Sequence, residues 1–338
     1  MNQPYYYQYQ QYMYQQRMRA KQLRRTFNPI GWTLVVYYLI MNVTVAAVMV
    51  VDIMAQVFQM MAVDPDMDIT SGMDALMDAA MESGGWGYLL SAAIGLFVLL
   101  VWKGKDFWKQ QIFAKGRPMK PGDFFLILCI FIGIQLLASL MSSVLEMILN
   151  QFGLSMMSVL ESASGQSSGL SMFIYASICA PITEELLFRG YVQRTLMPYG
   201  KKFAIFCSAV LFGLFHGNLI QTPYAFAVGL VLGYVAVEYN VVWAMVLHML
   251  NNMVLADLLT RVSSAIAPGQ EDMISGLVIL AFGIAAVVVL IVKRKRIAAY
   301  LRQERMDRQC LKSFFGNAGV ITLTVLMLSN LLLLITAI

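Results

Sequence analysis

Residues 273–292 read MISGLVILAFGIAAVVVLIV without one charged side chain, and Lys293, Arg294, Lys295 and Arg296 follow at once. A bilayer core about 30 Å thick is crossed by a helix of roughly 20 apolar residues. Such a run ending in four cations reads as a membrane helix whose basic end faces the cytoplasm. The same reading, carried along the chain, finds further apolar runs at 31–57, 86–102, 123–149, 169–197, 203–217, 219–238, 241–260 and 314–337. The expected fold is all-α: a multi-pass transmembrane helical bundle of about nine helices.

Composition agrees with that reading. The chain has 338 residues, of which 59% are hydrophobic and 13% charged. A soluble domain carries about 25% charged residues. This chain cannot cover itself with charge in water, so lipid must be its solvent. The charges it has are sorted. Arg17, Arg19, Lys21, Arg24 and Arg25 precede the first run, while Asp64, Asp66, Asp68, Asp74, Asp78 and Glu82 follow it. Lys103, Lys105, Lys109, Lys115, Arg117 and Lys120 come after the second run, and Arg194, Lys201 and Lys202 lie at and beyond the end of the fourth. The loop around Glu161 falls on the opposite side. Arg302, Arg305, Arg308 and Lys312 extend the basic stretch after residue 296. Positive charge marks cytoplasmic loops, so the N-terminus is expected inside and the C-terminus outside. The net charge of +5 reflects this orientation signal, and no nucleic-acid partner is expected.

Smaller features complete the layout. Residues 1–16 are a Tyr/Gln-rich, uncharged stretch expected to be disordered or interfacial. Met73, Leu76, Met77, Ala80 and Met81 recur at helical spacing, with Asp74, Asp78 and Glu82 on another side, and are expected to form a short helix on the membrane surface. Cys129, Cys179, Cys207 and Cys310 show no disulfide or CxxC pattern and read as small hydrophobes. Asp257 reads as interfacial and Glu238 as solvated. The organisation expected is a cytoplasmic tail over 1–30, membrane helices over 31–168, a distinct core over 169–260 and further membrane helices over 261–338.

The fourth run departs from its neighbours, because Pro181, Ile182, Thr183, Glu184, Glu185, Leu186, Leu187, Phe188 and Arg189 place two carboxylates and a guanidinium in one span. An ionisable group at a membrane helix centre costs about 2.5–3.5 kcal/mol on insertion scales, so its presence points to function. Glu185 and Arg189 are spaced to share a helix face and pair. Glu184 is turned about 100° away and left for other work. The chain's two histidines follow: His216 closes the fifth run, and His248 lies in the seventh with Asn252 one turn on. Counting about 1.5 Å per residue from the nearest cytoplasmic boundary puts Glu184, His216 and His248 roughly 15, 21 and 12 Å deep, differences that helix tilt can close. A base, two imidazoles and an amide suit hydrolysis of an amide bond. Glu184 and His216 would activate water while His248 and Asn252 stabilise the oxyanion. The same atoms leave a second scheme open, in which Glu184, His216 and His248 hold zinc with a water in the open position.

The residues resemble the three motifs of the CPBP family, the membrane-embedded CAAX-type proteases and bacteriocin-processing (Abi) proteins. EExxxR stands as Glu184, Glu185 and Arg189; FxxxH as Phe212 and His216; HxxxN as His248 and Asn252. The resemblance covers about 169–260. It implies an intramembrane endopeptidase with Glu184 as general base, Glu185 paired to Arg189, His216 on the water, and His248 and Asn252 as oxyanion donors. No cofactor is required in that scheme, with zinc the alternative. The substrate implied is a membrane-associated peptide or protein, lipidated or bacteriocin-like. No eukaryotic sorting signal is visible, so a bacterial plasma membrane is the expected location. Two rivals remain from the residues themselves. One is a proton-coupled transporter, which buried Glu, Arg and His also serve, although no internal repeat is visible. The other is a non-catalytic immunity or scaffold protein of the same family.

Overall fold

The computed structural model describes residues 3–63, 73–109, 116–155, 169–254, 258–303, 305–333 and 336–337. Asp64, Asp66, Asp68, Lys115, the loop around Glu161 and Asp257 lie outside them. The described chain is helical almost throughout. In chain order it forms α1 (Gln3–Val63), α2 (Met73–Phe107), α3 (Pro121–Asn150), α4 (Leu170–Tyr199), α5 (Lys201–Phe215), α6 (Gln221–Glu238), α7 (Val241–Met253), α8 (Leu259–Ile266), α9 (Glu271–Arg302), α10 (Arg308–Phe315) and α11 (Ala318–Leu333). Two short strands, β1 (Leu154–Ser155) and β2 (Thr336–Ala337), pair antiparallel, so the end of the last apolar run is extended and not helical.

Among the described residues, α1, α2, α3, α4 and α9 are long and apolar enough to cross a membrane. α10 and α11, bent by 60° at their junction, would make a sixth crossing if counted together. The chain is thus an integral membrane protein, but the count of nine helices gives way to five or six. The runs at 203–217, 219–238 and 241–260 are apolar for another reason. α5 buries Phe203, Ala204, Cys207, Ala209, Leu211 and Phe212, and α6 buries Val228, Leu232 and Val235. α7 buries Val241, Ala244, Leu247 and His248. A short apolar helix is as much the signature of a core element as of a span. α9 is the contrast: only Gly283 and Ala286 are buried, and Leu277, Ile284, Val288 and Ile291 face outward.

Two more expectations change. Residues 3–16 are not disordered, because α1 runs as one helix of 61 residues from Gln3 to Val63. Its basic stretch is tied down where Arg19 pairs with Asp307 at 2.5 Å and the Gln309 side chain donates to the Gln16 carbonyl at 2.7 Å. Nor does Met73–Met81 form a separate surface element. It is continuous with α2, and Leu76 is buried.

Small residues set the crossings. A Cβ on Gly31 would stand 2.1 Å from the Gly319 carbonyl carbon, so α1 and α11 touch backbone to backbone. A Cβ on Gly133 would stand 2.4 Å from the Ala286 Cβ, which seats α3 against α9. In lipid, where helices gain nothing by hiding from water, close packing of this kind holds them together. The core lies around α4, whose Leu187, Phe188, Tyr191 and Val192 are fully buried among α1, α5, α6 and α7.

Candidate active site

The site begins with an irregular helix. α4 alternates α-helical and wider π-helical turns, the latter over Tyr175–Cys179 and Glu185–Gln193. π-turns are rare and gather at functional sites. Pro181 supplies a physical reason for the first. It has no N–H for the carbonyl one turn behind, and its ring crowds that turn. The carbonyl of Ala176 is taken up from outside, by Asn252 Nδ2 of α7 at 2.9 Å. Thr183 Oγ1 donates back to Cys179 and Ala180 at 2.8 and 3.1 Å.

α5 and α7 are shaped to meet this helix. His216 is the C-cap of α5, and Gly217 at φ 64° turns the chain as only glycine does readily. Asn218 Oδ1 then accepts from Gln221 N at 2.6 Å and starts α6. The imidazole is thus fixed at a corner of the chain. α7 is capped by Asn240, whose side chain accepts from Trp243 N at 3.0 Å.

The structure brings Glu184, Glu185, Arg189, His216 and His248 together, with Asn252 one turn beyond His248 on α7. Glu185 Oε1 accepts from Arg189 Nη1 and from His248 Nδ1, both at 2.9 Å. Glu185 and Arg189 are wholly buried. The guanidinium also donates to the Gly229 carbonyl at 3.3 Å and lies 4.1 Å from the centre of the Phe212 ring. Glu184 points elsewhere, with its side chain 24% exposed and Oε2 3.8 Å from His248 Nε2. The Phe212 ring touches both imidazoles, with centroids 4.9 Å from His216 and 5.8 Å from His248. His216 lies within the electrostatic reach of Glu184, His248 and Arg189.

These contacts assign protons. A carbonyl only accepts, so the 2.8 Å contact of His216 Nδ1 with the Phe212 carbonyl makes Nδ1 the protonated nitrogen. Nε2 is then left with a free lone pair. By the same logic His248 donates from Nδ1 to Glu185, and can donate from Nε2 only when it carries both ring protons. Asn252 spends one N–H on Ala176, and its Oδ1 accepts from Asn251 at 3.1 Å. One amide proton remains for another acceptor.

Zinc would ask for three of these side chains at once. The donor types are suitable: two Nε2 atoms, each imidazole steadied through Nδ1, and a carboxylate. The placement is not, because no three His, Cys, Asp or Glu side chains among the described residues lie close enough together to hold a metal ion.

Helical spacing alone anticipated the Glu185–Arg189 pair. It gave no sign that Glu185 also holds His248, since the two are brought together only by the packing of α4 on α7. Phe212 was legible as a motif position but not as the ring that separates and supports the charged groups.

Fold and site together define a class: an all-α membrane protein with a buried carboxylate–guanidinium–imidazole cluster. Residues 166–254 match the family model described as type II CAAX prenyl endopeptidase Rce1-like. That segment, which contains α4 to α7 with all six expected residues, is similar to CAAX-protease-type domains. No curated protein and no solved structure matches the chain.

The capping of a proline-freed carbonyl makes a prediction. Asn252→Ala leaves the Ala176 carbonyl without its donor, and a buried polar group stripped of its partner costs about 1–3 kcal/mol. The melting temperature of the purified protein is expected to fall, apart from any loss of activity. An unchanged melting temperature would show that the 2.9 Å contact carries no structural weight.

Proposed function

We propose that this protein is an intramembrane endopeptidase that hydrolyses a peptide bond with a glutamate-activated water. The observation that carries the reading is the division of labour between adjacent carboxylates. Glu185 is fully buried and hydrogen-bonded to Arg189 and His248, whereas Glu184 is partly open and hydrogen-bonded to neither, its Oε2 standing 3.8 Å from His248 Nε2. Two carboxylates in unlike environments commonly hold unlike roles.

In the proposed reaction Glu184 and the free Nε2 of His216 hold a water. Glu184 takes one of its protons as the oxygen attacks the scissile carbonyl carbon. The carbonyl electron pair moves onto its oxygen, where the remaining Asn252 N–H and a doubly protonated His248 can donate. The oxyanion then collapses, the C–N bond breaks, and Glu184 passes its proton to the leaving amine. Arg189 and Glu185 act by holding His248 in place. The family match supports peptide-bond chemistry. The substrate class we propose is a membrane-associated peptide or protein, lipidated or bacteriocin-like. The basic stretches beside the crossings support a cytoplasmic N-terminus, and we place the protein in a bacterial plasma membrane.

A chelator separates the two schemes. In a cleavage assay with purified protein, the water scheme expects activity to survive metal stripping and to be indifferent to added zinc. Activity lost with chelator and restored by zinc would overturn it in favour of the zinc scheme.

A further inference from the structure

A second site lies between α1 and α2. A groove of about 300 Å³ runs there, lined by Trp32, Val36, Ile40, Val98, Leu99 and Trp102. Val36, Val98, Trp32 and Trp102 are exposed on its rim, on helices that are themselves membrane crossings. Its volume is at the lower end of ordinary ligand pockets.

The two ends of the groove differ. One end is polar: Thr33 Oγ1 and the Tyr191 hydroxyl are 3.2 Å apart, and the Lys103 ammonium stands 4.2 and 4.4 Å from the centres of the Trp102 and Tyr191 rings. Phe107 adds a third ring at 5.6 Å. The rings stabilise the positive charge but satisfy none of its N–H donors. Among the described residues no carboxylate pairs with Lys103. α2 passes from apolar to charged residues here, which is headgroup depth. The other end is apolar and reaches Tyr37, which lies within the electrostatic reach of Glu184.

We propose that this groove is a binding site for an anionic phospholipid, with one acyl chain along Val36, Ile40 and Val98 and the phosphate on Lys103. The chemistry calls for both parts at once. A soluble anion would leave the apolar wall bare, and a neutral lipid would leave the ammonium unanswered. The groove is built mainly from α1 and α2, outside the family-matched segment, and the inference does not rest on the peptidase reading.

Native mass spectrometry of the purified full chain tests it. The protein is titrated with phosphatidylglycerol or with phosphatidylcholine of the same chains. Wild type is expected to retain phosphatidylglycerol about fivefold better, the preference one interfacial cation confers. Lys103→Gln should abolish that preference and leave phosphatidylcholine retention unchanged, while Lys103→Arg should keep it. Val36→Trp, which fills the groove from its exposed side, should reduce retention of both lipids at an unchanged melting temperature. Equal retention of the two lipids by wild type would overturn the site. So would a preference that survives Lys103→Gln, full retention in Val36→Trp, or displacement of the lipid by inorganic phosphate.

Discussion

Glu184→Gln is expected to lower peptide cleavage by about 10²–10⁴-fold, the contribution of a general base, while the protein stays folded in the membrane. The substitution preserves size and removes only the ability to take a proton. Glu184 is the replaceable carboxylate of the two. Its side chain is 24% exposed, and its Oε2 stands 3.8 Å from His248 Nε2, beyond a hydrogen bond. No buried partner is therefore left without its counter-charge. The informative measurement is cleavage of a membrane-associated peptide by purified variant and wild type, beside their melting temperatures. A Glu184→Gln variant that cleaves at the wild-type rate would end the mechanism, whatever the metal dependence. A variant that fails to fold would contradict the open environment seen around Glu184.

The second large effect concerns stability. Arg189→Ala and Glu185→Gln should each destabilise the protein, the former by about 3–5 kcal/mol, the usual consequence of removing one member of a buried ion pair. Both side chains are fully buried, and Glu185 Oε1 takes two donors at once, from Arg189 and His248. Deleting the guanidinium leaves a carboxylate in an apolar core and also uncovers the Phe212 ring beneath it. Glu185→Gln removes the charge that holds His248, so the imidazole loses its fixed orientation. The double variant Glu185→Leu with Arg189→Met should regain part of the stability, because apolar residues of similar volume often replace a buried ion pair without loss. It should remain inactive, because His248 stays unheld. Thermal unfolding of the single and double variants in detergent decides the matter. Additive losses in the double variant would mean that the pair is not coupled.

The amino-acid sequence by itself determined the solvent, the helical class and the residues of the cluster. Long apolar runs with sorted cations leave a membrane bundle as the one solution that satisfies every backbone group in lipid. Ionisable side chains inside such runs are costly enough to mark a site before any contact is known. The Glu185–Arg189 pair was legible as well, since both partners lie on one helix within a turn. What the sequence could not decide was which apolar helices face lipid. α5 and α9 are both strongly apolar, yet α5 is enclosed by protein and α9 is bare. Hydropathy measures a preference to leave water and is blind to whether lipid or protein receives the side chain. The tertiary structure alone decided that. It also decided the surroundings of the two carboxylates. Adjacent in sequence and identical in chemistry, Glu184 and Glu185 differ because the packing of α7 on α4 lays His248 against one of them and leaves the other open.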